Sequence, residues 1–210
     1  MYNCRIALAL LGLFTLWVSP TAGAAGAALY ERQCAVCHGA SALGDGALQA
    51  PARAAQQADY LARQLRHFRS GIRGSDPADE PGARMRNMAR GLSDEDIAAV
   101  ADHLAALPSP PVEPLEGADS ENGSNYYQGN CGACHGPDAL GNPGLNAPAL
   151  AWLDADYLER QFDNFLRGIR GAHPEDTYGR QMQMMSPTLP DDEQILADII
   201  AFMHSRAPRK

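Results

Sequence analysis

The sequence predicts an all-α protein built from two copies of one small unit. Three observations predict it. The pattern CxxCH occurs twice, as CAVCH at 34–38 and as CGACH at 131–135. A shift of 97 residues superposes the two patterns and, with no gap, places Tyr30 on Tyr127, Gly44 on Gly141 and Pro51 on Pro148. The same shift lays DYLARQLRHFRSGIRG on DYLERQFDNFLRGIRG, Met85 on Met182, Met88 on Met185 and Leu92 on Leu189, which is an internal duplication. Apolar residues recur at helical spacing, as in Leu61, Leu65 and Phe68, while strand signals are nearly absent.

Taken in order, residues 1–24 read as a secretory signal peptide. Arg5 precedes an apolar run from Ile6 to Val18 that is short for a bilayer span, and Ala22-Gly23-Ala24 offers a cleavage site. Cleavage would remove Cys4 and leave four cysteines, all in the repeated pattern, with none to spare for disulfides or a nucleophile. The first domain is 25–106, a linker rich in proline, glycine and acids runs over 107–122, and the second domain is 123–210.

Each half reads as helix, loop, helix, loop, helix. A short helix enters CxxCH, a second covers Tyr60 to Arg69, and a third covers Ile97 to Leu107. Ser93, three residues before Asp96, caps the last helix of the first half; Pro190 with Asp191, Asp192 and Glu193 suits the first turn of its counterpart. The methionine pairs are expected at the end of a loop free of regular structure. Domains of about 80 residues have thin cores and call for a staple such as a metal or a large apolar cofactor.

CxxCH in an exported chain supplies that staple. A redox dithiol needs a βαβ setting, which is missing, and a shared zinc site would leave a histidine after each pair unexplained. In covalent haem attachment each cysteine adds to a haem vinyl group and the adjacent histidine faces the iron. Cys34, Cys37, Cys131 and Cys134 are therefore the attachment candidates, and His38 and His135 the proximal ligands. Either downstream proline, Pro51 or Pro148, could orient its histidine through its carbonyl or serve as a turn residue.

For the sixth iron position the candidates are Met85 and Met88 in the first half and Met182, Met184 and Met185 in the second. Met85 and Met182 are favoured, with Met88 and Met185 as core neighbours and Met184 as a competitor. His67, His103, His173 and His204 match no histidine at the shift and are assigned to surface or helix-face positions. A thioether favours Fe(II), and two protein ligands close the iron to substrates.

The arginines admit two readings, a solvated helix face or anion binding. In the second, Arg63 with Arg160 and Arg73 with Arg170, helped by Tyr60 and Tyr157, neutralise haem propionates. Arg66, Arg84, Arg86 and Arg90 have no basic counterpart and would form a basic rim near the first site, suited to an acidic partner.

The chain resembles the two-haem, c4-like class I c-type cytochromes. The resemblance rests on CxxCH-G, the downstream proline, YLxxQ with GIRG, and MxxM-x-x-x-L before the last helix, and covers roughly Leu29 to Ser205. It implies two tandem cytochrome c domains related by a pseudo-twofold axis, with two covalent haem c groups. It implies that Pro51 and Pro148 accept from the proximal histidines and that Met85 and Met182 are the sixth ligands. The family shows a glycine soon after the ligand where this chain has MQMMSP, and a leucine-glycine stretch where it has PARAAQQADYL.

The function expected is a periplasmic electron carrier between a dehydrogenase or quinol-oxidising complex and a terminal oxidase or reductase. It has no catalytic residues of its own, and any membrane association comes through a partner. The formal charge of −8 excludes a basic nucleic-acid-binding surface over the chain as a whole. Two rival readings are the haem subunit of a larger flavocytochrome-type dehydrogenase and a haem enzyme such as a thiosulfate-oxidising cytochrome.

Overall fold

A computed structural model describes residues 22–208. The predicted signal peptide lies outside the described residues, except for Ala22–Ala24 at the start of the first helix. Ten α-helices are found among the described residues, and none is long and apolar enough to cross a membrane. The first half holds α1 (Ala22–Gln33), α2 (Ala35–His38), α3 (Ala58–Ser70), α4 (Glu80–Ala89) and α5 (Asp94–Ala105). The second repeats it as α6 (Ser120–Asn130), α7 (Gly132–His135), α8 (Ala155–Leu166), α9 (Thr177–Met185) and α10 (Glu193–Ser205). Even the two isolated β-bridges, Asp45 with Ala50 and Asn142 with Ala147, keep the register of the duplication.

Each half closes by crossing its first and last helices. At Gly26 a Cβ would run into the carbonyl of Ala99, and at its match Gly123 into the carbonyl of Asp198. Both positions admit glycine alone without a shift of one helix. The first core gathers Leu29, Tyr30, Leu61, Phe68, Ile97 and Leu104; the second gathers Tyr127, Trp152, Ile199, Ile200, Phe202 and Met203.

Three local expectations are corrected. The methionines lie in helices α4 and α9, because Asp79 and Asp176 cap them through the amides of Gly82 and Gly179, both at 2.9 Å. These caps were hidden by the glycine and proline around them. Helix α10 starts at Glu193 with Asp192 as its cap, so Pro190 precedes the helix. Within the predicted linker, Asp119 accepts from Glu121 and Asn122 and starts α6 at Ser120, three residues early.

The halves meet through loops that do not repeat their sequence. Gln56 donates to the carbonyl of Ala149 at 2.8 Å and accepts from its amide at 3.1 Å. The matching amide, of Ala52, donates instead to the Asp154 carboxylate at 3.0 Å. Trp152, matched by Ala55, donates from its indole to the carbonyl of Ala54 at 3.1 Å.

Candidate functional site

The short helices α2 and α7 present each cysteine-histidine pair on one turn. Tyr30 donates to the carbonyl of Gly39 at 2.6 Å and Tyr127 to that of Gly136 at 2.8 Å, fixing each turn to the helix before it. The four cysteines among the described residues are free; Cys37 and Cys134 are exposed, Cys34 and Cys131 half-buried. Burial, helped by the neighbouring cysteine, pushes Cys34 and Cys131 each up to about 11, so both are uncharged thiols at neutral pH.

His38 and His135 are buried, and each Nδ1 lies 2.9 Å from the carbonyl of Pro51 or Pro148. A carbonyl only accepts, so Nδ1 carries the proton and Nε2 keeps a free lone pair. Burial lowers both imidazoles, His38 to about 4, against the pull of the proline hydrogen bond. Each histidine is therefore neutral, oriented and able to ligate a metal.

Beside His38 opens a cleft of about 1250 Å³, counting its open mouth. Leu61, Leu65, Phe68 and Val100 give it apolar walls, and Met85 faces it from α4. Tyr157, Arg160 and Gln161 of the second half line the same cleft. Met85 and Met182 are half-buried. Met88 and Met185 are 47% and 43% exposed and Met184 is 66% exposed, so Met88 and Met185, expected as core neighbours, reach the surface, and Met88 also lines the cleft beside His38.

Between the halves lies a polar ring whose contacts repeat in the register of the duplication. Arg73 donates to Gln64 and Gln161, both at 2.7 Å, and to the Tyr157 hydroxyl at 3.3 Å. Arg170 donates to Gln161 at 2.8 Å, Gln64 at 3.1 Å and the Tyr60 hydroxyl at 3.3 Å. Each guanidinium also stacks 4.5 Å from a phenylalanine ring, Phe68 or Phe165. Arg63 crosses to Asn146 and Arg160 crosses to the carbonyl of Gln49.

Among the described residues, none of Arg53, Arg63, Arg73, Arg160 and Arg170 pairs with a carboxylate. Five buried nitrogens, Nε of Arg63, Arg73, Arg160 and Arg170 and one Nη of Arg53, have no hydrogen-bond partner. Burial would raise the Tyr157 hydroxyl, but Arg53, Arg73 and Arg170 pull it well below an ordinary tyrosine. Uncompensated buried cations of this kind fit a bound anion, and an apolar cleft beside them fits a flat apolar body carrying carboxylates. The residues present thus suit haem.

The proposed basic rim is partly neutralised. Arg66 pairs with Asp94 at 3.4 Å and Arg84 with Glu80 at 2.9 Å. His67, expected at a surface or helix-face position, lies on a face of α3 that is folded into the contact between the halves, 3.6 Å from Asp176. Sequence reasoning also missed Gln64, Gln161, Asp79 and Asp176; the YLxxQ repeat contained the glutamines, but nothing in it marked them as crossing to the other half.

The cytochrome c family model matches residues 23–108 and 120–207. The chain belongs to the cytochrome c family. It is 35% identical over 178 residues to a thiosulfate dehydrogenase electron acceptor of Stutzerimonas stutzeri (strain A1501), covering 80% of this chain and 77% of that one. Reduced cytochrome c4 from Pseudomonas stutzeri shares the fold, with a TM-score of 0.69 at 23% identity over 85% of this chain and 95% of that one. Thiosulfate dehydrogenase from Marichromatium purpuratum matches with a TM-score of 0.68 at 29% identity, over 86% of this chain and 39% of that one. The chain is a di-haem, cytochrome c4-like electron-transfer protein, and the all-α fold of two cytochrome c domains stands as the duplication predicted.

Proposed function

We propose that the chain is a periplasmic electron carrier, with no catalytic site of its own, that holds one haem c in each half. It would take electrons from a dehydrogenase and deliver them to a terminal oxidase or reductase. The single observation that carries the reading is the repeated constellation of two free thiols, a buried histidine and a proline carbonyl at 2.9 Å from it, found in both halves. The likeness to a thiosulfate dehydrogenase electron acceptor favours a thiosulfate-oxidising enzyme as the donor.

In this reading Cys34 and Cys37, and Cys131 and Cys134, hold the two groups covalently. His38 and His135 bind iron through Nε2 while the proline carbonyls fix their tautomer and strengthen them as donors. Met85 and Met182 would supply the sixth ligands, being the half-buried methionines of helices α4 and α9. Arg53, Arg63, Arg73, Arg160 and Arg170, whose buried nitrogens lack partners, would neutralise the propionates. The haem supplies a one-electron Fe(III)/Fe(II) couple, raised in potential by a thioether ligand. Tyr60, Gln64, Tyr157 and Gln161 hold the ring of arginines between the sites, so that their charge is shared by both.

The test is a potentiometric titration of the mature protein followed optically. Two high-potential steps, with the weak ferric sulfur-to-iron band lost stepwise in Met85→Ala and Met182→Ala, support a two-centre carrier. Ready cyanide binding to the resting protein and a missing band would sink it. A second reading, a haem unit within a larger dehydrogenase, is favoured by the Marichromatium match, where the aligned region is 39% of that chain. Co-purification with a catalytic subunit would establish it.

A further inference from the structure

One of the places where the halves differ reaches a methionine-bearing helix. His67 projects from α3 with its side chain 12% exposed, and its Nδ1 lies 3.6 Å from a carboxylate oxygen of Asp176, itself 5% exposed. That nitrogen is buried and has no hydrogen-bond partner. Asp176 is the cap of α9, the helix of Met182.

Arg63, also on α3, reaches α9 a second time. Its guanidinium stacks 4.6 Å from the Tyr178 ring and donates to Asn146, whose amide donates to the Tyr178 hydroxyl at 2.7 Å. The register of the duplication puts Asn164 in place of His67 and Pro81 in place of Tyr178. Neither an imidazole nor an aromatic ring is therefore available for the reverse hold of the second half on α4.

The charged groups facing His67 are Asp176 from α9, Arg63 on its own helix, Arg73 from the loop after α3 and Arg170 from the loop before α9. Burial and the three arginines lower the imidazole, and Asp176 opposes them. Propionates held by those arginines would offset part of their charge and ease protonation.

We infer that His67 is a positioning residue for the second site: it holds the start of α9 through Asp176, and one added proton turns their approach into a charged pair. The consequence is one-sided. A positive charge gained there favours the reduced iron, so the potential of the second site rises as pH falls, while the first, with Asn164 in the matched place, stays flat. The inference rests on the reading of Met182 as an iron ligand.

The experiment is optical potentiometry of the haem-loaded full chain between about pH 5 and 8, the range in which histidines titrate, in the wild type, His67→Asn and Met182→Ala. Asn is the residue that the second half already buries at this position, so His67→Asn is expected to keep its helical content by circular dichroism. The expected result is one pH-dependent potential, abolished by His67→Asn with the other unmoved, and assigned to the second site because Met182→Ala displaces that step. Equal slopes at both sites, or a slope that survives His67→Asn, overturns the inference. A wild type flat with pH, whose sulfur-to-iron band is still reduced in Met182→Ala, overturns it while the ligand reading stands. A band untouched by Met182→Ala overturns the ligand reading and the inference with it.

Discussion

In the first half His38 lies 2.9 Å from a proline carbonyl, Asp79 caps the methionine helix at 2.9 Å, and Arg73 crosses to Gln161 at 2.7 Å. In the second half the matching distances, for His135, Asp176 and Arg170 with Gln64, are 2.9, 2.9 and 3.1 Å. Beyond this ring of arginines, the contact between the halves does not repeat. The amide of Ala149 is satisfied by Gln56, the equivalent amide of Ala52 by Asp154, and Trp152 fills a place where its match is Ala55. A metal-ligating imidazole, a helix cap and a buried guanidinium each allow few geometries. A buried amide needs only some acceptor, and a packed surface only the right volume, so many residue pairs serve there.

The largest break in the comparison comes from the attachment cysteines. Cys34→Ala with Cys37→Ala, or Cys131→Ala with Cys134→Ala, is expected to halve the covalent haem, read by mass spectrometry and pyridine haemochrome absorbance. Equal loss in both halves from either pair would show that the units fold only together.

Next in size is Trp152→Ala, which removes a buried ring and its bond to Ala54; about 3–5 kcal/mol of stability should be lost in denaturant unfolding. Ala55 at the matched position has no ring to remove, so this loss has no equivalent in the first half. Little change would mean that the indole is not packed between the halves.

Gly26→Ala and Gly123→Ala sharpen the likeness instead. Each drives a Cβ into a backbone carbonyl of the facing helix, and each should cost about 1–3 kcal/mol, as overpacking does. Similar losses are expected, since both helix crossings are equally close.

Smaller still, Ser93→Ala removes the acceptor for Asp96 in the capping box of α5 and should cost about 1 kcal/mol. Asp192→Ala should cost a similar amount at α10, where the cap accepts from Gln194.

The smallest effect is one of pH. His67 is lowered in the folded chain, so between that value and the unfolded value of about 6.5 the unfolded chain binds more protons. The stability that neutral His67 contributes is present above the unfolded value and is lost as pH falls through this window. His67→Asn should therefore flatten part of the acid side of a stability curve.

The repeat was legible because a shift of 97 keeps every spacing from CxxCH to the methionines. The histidine-proline pairing was legible in part: the spacing of 13 repeated, but the residues alone left a turn proline as an equal reading, and the family resemblance chose the acceptor. Helices α4 and α9 were not legible. Their first turns contain Pro81, Gly82 and Gly179, residues that signal loops, and their caps work only once the aspartates are buried.

By itself the sequence determined the helical repeat, the four thiols with their adjacent histidines, and the uneven placement of arginines, because these follow from residue identity and spacing along one chain. Only the tertiary structure decided that the methionines lie on helices, that Arg73 and Arg170 join glutamines of opposite halves, and that His67 meets Asp176. Those contacts join residues up to about a hundred positions apart, and no local pattern encodes them. They arise when two helical units bury polar side chains against each other, and each buried polar group must then find a partner across the contact.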